Sequence, residues 1–203
     1  MVSQGEQACA DQQQAATAAV HERLSPLRDL PGPVQWSFRP VERALIWDFC
    51  QAVQDANPIY WDDEFAARSA FGRLVAPAQS LASLVIAPPW LPPVVVAASA
   101  ERAKTSGPSP FRAAMAALQE LGYPTATNVG REEEYLEAIG PGDGRIGQIE
   151  ELRDISAVKR TRVGFGVFIT TVISFVTERA PDIVVARATN TLLMYAPHEG
   201  VAS

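Results

Sequence analysis

With 203 residues, 47% of them hydrophobic and 20% charged, the chain has the composition of a globular domain with room for a real core, which excludes disorder as its overall state. The formal net charge is −6 and no basic run exceeds the pair Lys159-Arg160, so nucleic-acid binding is excluded as a main role. The two cysteines, Cys9 and Cys50, make no disulfide framework and fit a reducing, cytoplasmic setting.

Residues 1–33 open on Gln- and Ala-rich sequence with no apolar signal-peptide core, and they end in Leu30-Pro31-Gly32-Pro33. We expect a loosely helical, partly flexible arm, then a turn. Pro40 marks the start of a helix carrying Leu45, Phe49 and Val53 at i, i+4, i+8, with Ile46 and Cys50 alongside. Asp55, Asn57 and Pro58 end it, and Asp62 or Asp63 caps a short second helix with Phe65, Ala66 and Ala67. A turn over Gly72 to Pro77 leads into a third helix over 78–87. Leu81, Ala82, Leu84, Val85 and Ile86 make it apolar nearly all round, the pattern of a buried helix, and Pro88-Pro89 stops it.

The span 88–110 holds six prolines and reads as a long surface excursion. Phe111 to Leu121 is amphipathic, with Phe111, Met115, Leu118 and Leu121 on one side. From Asn128 the pattern turns to strands. Glu132-Glu133-Glu134-Tyr135 leads to a hairpin signal at Gly140 to Gly144. In 145–155, Ile146, Ile149, Leu152 and Ile155 recur every three residues, a helical spacing, but the neighbouring segments predict a strand.

Val163–Thr177 and Ile183–Tyr195 are dense in β-branched and aromatic residues, and the 15 residues of the first are too few to span a bilayer. In that first strand Val167, Ile169, Ile173 and Phe175 share one face and Phe168, Val172 and Val176 the other, so both faces are expected to be covered, one by a helix and one by a partner. Gly164 and Gly166 inside it suggest a bulge or a close backbone approach. Helices followed by strands predict an α+β domain over 34–197, with a tail at 198–203.

Several short segments, in order and spacing, resemble the MaoC-like (R)-specific enoyl-CoA hydratases. They are Phe38 to Arg43, Phe49 to Tyr60, Asp62 to Arg68, Gly72 to Pro77 and Gly140 to Asp143. Ala76-Pro77 is similar to the FAS1-like dehydratase branch of that group. Phe111 to Asp143 and Ala157 to Phe175 look most similar to the MaoC-like half of heterotetrameric hydratases acting on steroid side-chain enoyl-CoA thioesters.

The resemblance implies a hotdog fold, an antiparallel sheet wrapped around one buried helix. It implies a CoA or acyl-carrier thioester as substrate, no further cofactor, and a homologous hotdog subunit as partner, with a thiolase or lyase as a further candidate. The family's catalytic Asp falls on Asp55 and its structural Asn on Asn57, but its histidine position is Tyr60.

An unperturbed phenol has a pKa of about 10, against about 6.5 for imidazole, so Tyr60 is a hydrogen-bond donor rather than a base at neutral pH. The chain's two histidines, His21 and His198, lie outside the motif. The family's enolate-binding backbone N–H falls at Pro77 and Ala78, of which only Ala78 has one.

Tyr60, Gly72, Arg73 and Ala78 are the expected substrate contacts. For each polar candidate a plainer role stays open. Asp55 serves equally as a turn carboxylate, Arg68 and Arg73 as surface charges, and Glu132 to Glu134 as a solvated strand edge or a partner-facing patch. No cysteine or histidine grouping has metal-ligand spacing.

Overall fold

The computed structural model describes residues 4–96 and 109–197. The helices include α1 (Gln4–Leu24), α2 (Arg43–Val53), α3 (Asp63–Arg68), α4 (Leu81–Val85) and α5 (Pro110–Glu120). The strands are β1 (Gln35–Trp36), β2 (Thr125–Tyr135), β3 (Ile146–Ile155), β4 (Lys159–Arg160), β5 (Gly164–Thr177) and β6 (Ala186–Pro197). They form one antiparallel sheet in the order β1-β3-β5-β6-β2, with β4 paired to β5.

Strand alternation sorts the sheet into two faces. On β5 the inner face carries Val167, Ile169, Thr171, Ile173 and Phe175, and on β6 it carries Ala186, Ala188, Asn190, Leu192 and Met194. Two apolar cores sit on it. Phe175, Ile146, Ala186 and Ala188 pack with Ile46 and Cys50 of α2 and with Leu81 and Leu84 of α4. Val167, Ile169, Leu152 and Met194 pack with Val20 and Leu24 of α1 and with Ala114 and Leu118 of α5. The N-terminal arm is thus a docked helix, tied down where Gln13 Nε2 donates to Val158 O and Thr17 Oγ1 accepts from Val158 N.

The periodicity of β3 has a physical origin. A register shift between Leu152 and Asp154 lets Leu152 and Ile155, three apart, face the same core opposite Thr171 and Ile169. Gly164 and Gly166 are close approaches: a Cβ there would meet Ala196 O at 1.8 Å and Met194 O at 2.6 Å. Asp62 is the cap of α3, its Oδ1 accepting from Phe65 N at 3.0 Å.

Several expectations are corrected. The first helix starts at Arg43, not Pro40, and its buried stripe is Ile46 and Cys50, while Val53 is 54% exposed. The third helix is shorter than 78–87: a 3-10 turn, Ala78–Ser80, runs into α4, which ends at Val85. Ile86 is extended and 68% exposed, because Pro88 disfavours a helical Ala87 and neither Pro88 nor Pro89 has an N–H to extend the ladder. The Gly140–Gly144 turn is no hairpin, because β2 and β3 lie on opposite sides of the β5–β6 pair; turn residues mark a reversal, not a pairing. The last strand begins at Ala186, leaving Ile183 53% exposed in the preceding turn. Most of the proline-rich excursion, residues 97–108, and the tail at 198–203 lie outside the described residues.

The two sheet edges differ. Residues 28–36 close the β3 edge, where Asp29 N donates to Leu152 O, Gly32 N donates to Glu150 O, and β1 pairs with Gln148 and Gly147. The β2 edge pairs with no described strand beyond β6. Ten of its eleven residues are exposed, about 37 Å of edge backbone. Even Glu133, with a side chain only 22% exposed, belongs to this exposed run, so its main chain carries the exposure.

Candidate functional site

The segment 54–61 is a tightly bonded turn. Gln54 adopts the left-handed region at φ 57° and caps α2 by donating its N–H to Cys50 O and Gln51 O. Asp55 Oδ1 accepts from Asn57 N at 3.0 Å, Asn57 Oδ1 accepts from Ile59 N at 3.2 Å, and Trp61 Nε1 donates to Asp55 O at 2.9 Å. Trp47 stacks on Trp61 at 5.8 Å and donates its Nε1 to Tyr60 O. One oxygen each of Asp55 and Asn57 is therefore spent on shaping the chain, as both residue types do in turns.

This turn separates the two leading candidates. Asp55 borders an open groove with Cys50, Gln54, Pro58 and Trp61. Tyr60 points its side of the turn at a cavity of about 280 Å³, whose walls include Phe71, Ala78, Leu81, Tyr135 and Ala138. Those walls come from the loop after α3, the start of the helical segment 78–85, and the end of β2. The cavity thus lies beside the open sheet edge.

Burial, with the Asp55 carboxylate nearby, pushes the Tyr60 phenol above its ordinary value. At neutral pH Tyr60 is a neutral donor and no base. Tyr135 is pushed up to about 12, first by burial and then by its hydrogen bond to Glu133. Burial works against the Glu133 carboxylate, but Tyr135 and Arg131 hold it below its ordinary value.

Of the expected substrate contacts, Tyr60 and Ala78 line the cavity and Gly72 and Arg73 do not; nor do the expected catalytic residues Asp55 and Asn57. Gly72 is a turn residue at φ 65°. The guanidinium of Arg73 grips Asp143 through two hydrogen bonds of 3.1 and 2.7 Å and donates to Ala138 O at 2.9 Å. Arg73 thereby supports the cavity wall from behind. Arg68 is exposed in the last turn of α3.

Phe71, Tyr135, Ala138 and Val185 also line the cavity, and sequence reasoning did not single them out. Tyr135 ends the strand that leads into the Gly140 turn, and that turn touches Leu74 so closely that a Cβ on Gly140 would meet Leu74 O at 2.5 Å. The glycine was the available signal. Among the described residues no group of three potential metal ligands occurs, and no helix is long and apolar enough to cross a membrane.

Comparison with known proteins agrees with this architecture. Residues 35–172 match the family described as "FAS1-like, dehydratase domain region". A "Probable enoyl-CoA hydratase alpha subunit" from Thermomonospora curvata is 30% identical over 162 residues, covering 78% of this chain. The chain spans about half of that relative's length, 46%.

Among solved structures, the ChsH1-ChsH2 complex from Mycobacterium tuberculosis superposes with a TM-score of 0.67 at 22% identity, covering 92% of this chain and 98% of that one. A MaoC-like dehydratase from Rhodospirillum rubrum gives 0.52 at 21%, covering 82% and 93%. These likenesses show the shared α+β hotdog fold. The chain belongs to the FAS1-like dehydratase family.

Proposed function

We propose that the chain is one subunit of an (R)-specific trans-2-enoyl-CoA hydratase, with a degenerate site of its own. It shapes the acyl cavity for a bulky, steroid-like group, and a similar hotdog chain supplies the Asp and His. One observation carries this reading: a neutral tyrosine stands in the cavity where the resemblance implies a histidine, beside a strand, β2, that pairs with no described strand beyond β6.

Hydration requires a base to take a proton from water, an acid to protonate the α carbon and a donor for the enolate oxygen. Tyr60 donates but does not accept a proton at neutral pH. Ala78 sits at the first position of the helical segment beside the cavity, and its N–H is the enolate donor in this scheme. Among the described residues no histidine lines the cavity, and the carboxylate in its wall, Glu137, is exposed on the segment after β2. His21 belongs to α1, over the other core, and so offers no substitute.

An eleven-residue open edge is what a second sheet completes. The curated relative bears the name of a subunit, and the ChsH1-ChsH2 structure is a complex of two named components. The chemistry needs no cofactor beyond the thioester.

The test is hydration of a trans-2-enoyl-CoA by the purified chain, alone and after co-purification with a MaoC-like chain that retains the Asp…His pair. The expected result is activity only from the pair, larger by at least the roughly 10²–10⁴-fold of general acid–base catalysis. Full activity from the single chain favours an autonomous homodimer using Asp55. Inactivity of an assembled pair favours a non-catalytic acyl-binding protein.

A further inference from the structure

We propose that the inner sheet face carries a second binding element: a polar row of Arg131, Asn190, Thr171 and Glu150 that takes a hydroxyl group at the end of the acyl chain remote from its thioester. This rests on the acyl-thioester reading above and adds the chemical class of acyl group.

The row is continuous across the sheet. Thr171 on β5 is the register partner of Asn190 on β6, and Asn190 is the partner of Arg131 on β2. Glu150 on β3 faces the same side, opposite Ile173, and its carboxyl lies close to the Thr171 hydroxyl. The row marks the seam between the two cores. Ile173 and Ala188 belong to the core of α2 and α4, while Ile169 and Leu192 belong to the core of α1 and α5. α4 stops at Val85, in the core that ends where this face turns polar.

Polar groups in such a place are normally paired. Here they are not. Thr171 is fully buried; its Oγ1 lies near the Glu150 carboxyl but makes no hydrogen bond of good geometry. Asn190 is 9% exposed, and its Oδ1 accepts from Arg131 Nη1 at 2.8 Å. Arg131 only donates, which fixes the amide orientation and turns both Nδ2 hydrogens away from it. No described residue accepts them. Burial raises the Glu150 carboxyl above its ordinary range, with the Thr171 hydroxyl and Arg112 opposing the rise.

The row is linked to the cavity. Tyr135, in the cavity wall, donates to Glu133, which also accepts from Arg131 Nε. Tyr135 and Arg131 are four residues apart on one face of β2, about 13 Å along the strand. None of the four row residues lines the cavity itself, so in this proposal a thioester held at the cavity meets the row only with the far end of a large acyl group that extends along β2.

The donor and acceptor pattern selects the ligand group. Asn190 Nδ2 offers donors, Glu150 offers acceptors and Thr171 offers both. A hydroxyl donates and accepts, and so satisfies all three. A hydrocarbon end leaves them unpaired, and a carboxylate meets the charge of Glu150.

The test is calorimetric titration of the full chain, assembled with its hotdog partner. The probes are two saturated CoA thioesters of one ring-bearing acyl group, with and without a hydroxyl on the ring remote from the thioester. The hydroxylated thioester is expected to bind about tenfold more tightly. In Thr171→Val and in Asn190→Asp the two thioesters are expected to bind alike. Thr171→Val removes a hydroxyl that makes no hydrogen bond of good geometry, and Asn190→Asp keeps an acceptor for Arg131, so both variants should fold. Equal wild-type affinities, or a preference that survives both substitutions, overturn the hydroxyl site alone. Binding of neither thioester overturns the acyl-thioester reading and this inference with it.

Discussion

Replacing Asp143 with alanine should destabilise the protein by about 3 kcal/mol, and of all single changes away from the cavity surface this one should disturb the site most. Its carboxylate is 7% exposed and accepts from both Nη atoms of Arg73, from Gly140 N at 2.8 Å and from Arg179 Nη1 at 3.3 Å. Removing it strands a buried N–H, a loss of roughly 1–3 kcal/mol, and an arginine tethered at the cavity wall. The Arg73 side chain is 34% exposed, so water takes up part of its charge and the total falls at the low end of the range for broken buried pairs.

For a chain of this length the melting temperature should drop by about 6–12 °C. Asp143→Asn keeps an acceptor for Gly140 and should lose less than half as much. Thermal melts of the two variants decide this, and an unchanged midpoint for Asp143→Ala would show that the turn is held by something else. Because Arg73 also holds Ala138 O, thioester binding should weaken along with stability.

The second large effect is expected inside the cavity. Ala138 is partly buried in its wall, and Ala138→Phe places a ring in a space of about 280 Å³. In the assembled enzyme this should lower kcat/KM at least 100-fold, about 2.8 kcal/mol of lost transition-state binding. Gln51→Phe, in the exposed groove beside Asp55, is the control and should change kcat/KM less than twofold. If Gln51→Phe blocks the reaction and Ala138→Phe does not, the acyl group lies along the Asp55 groove instead.

Local chemistry made much of this fold legible in the sequence. Asp62 or Asp63 reads as a cap because an Asp side chain there can serve a backbone donor in the first turn, and the structure shows that bond from Asp62. Gly164 and Gly166 read as a bulge or a close approach, and the structure shows the close approach, with no room for a Cβ beside the neighbouring strand. What escaped the sequence depends on partners far along the chain. Whether Gly140 to Gly144 joins neighbouring strands depends on where β5 and β6 insert, which turn residues do not encode.

The three-residue spacing of Leu152 and Ile155 imitated a helix because a bulge has that spacing locally. Arg73 looked available as a substrate contact because its partner Asp143 lies seventy residues away. Asp55 and Tyr60 looked like one site because they are five apart, yet the turn directs them to different surfaces. The resemblance found the motif; only the folded turn shows how its residues divide.

In the proposed function this chain shapes the cavity while its partner moves the protons. Asp55→Asn in the assembled enzyme tests it most directly, because asparagine retains an oxygen to accept from Asn57 N and so preserves the turn. Steady-state hydration of the enoyl thioester should keep kcat within about threefold of the unaltered enzyme. A fall of roughly 10² or more, the scale of a lost general base, would contradict the account and place the catalytic carboxylate in this chain.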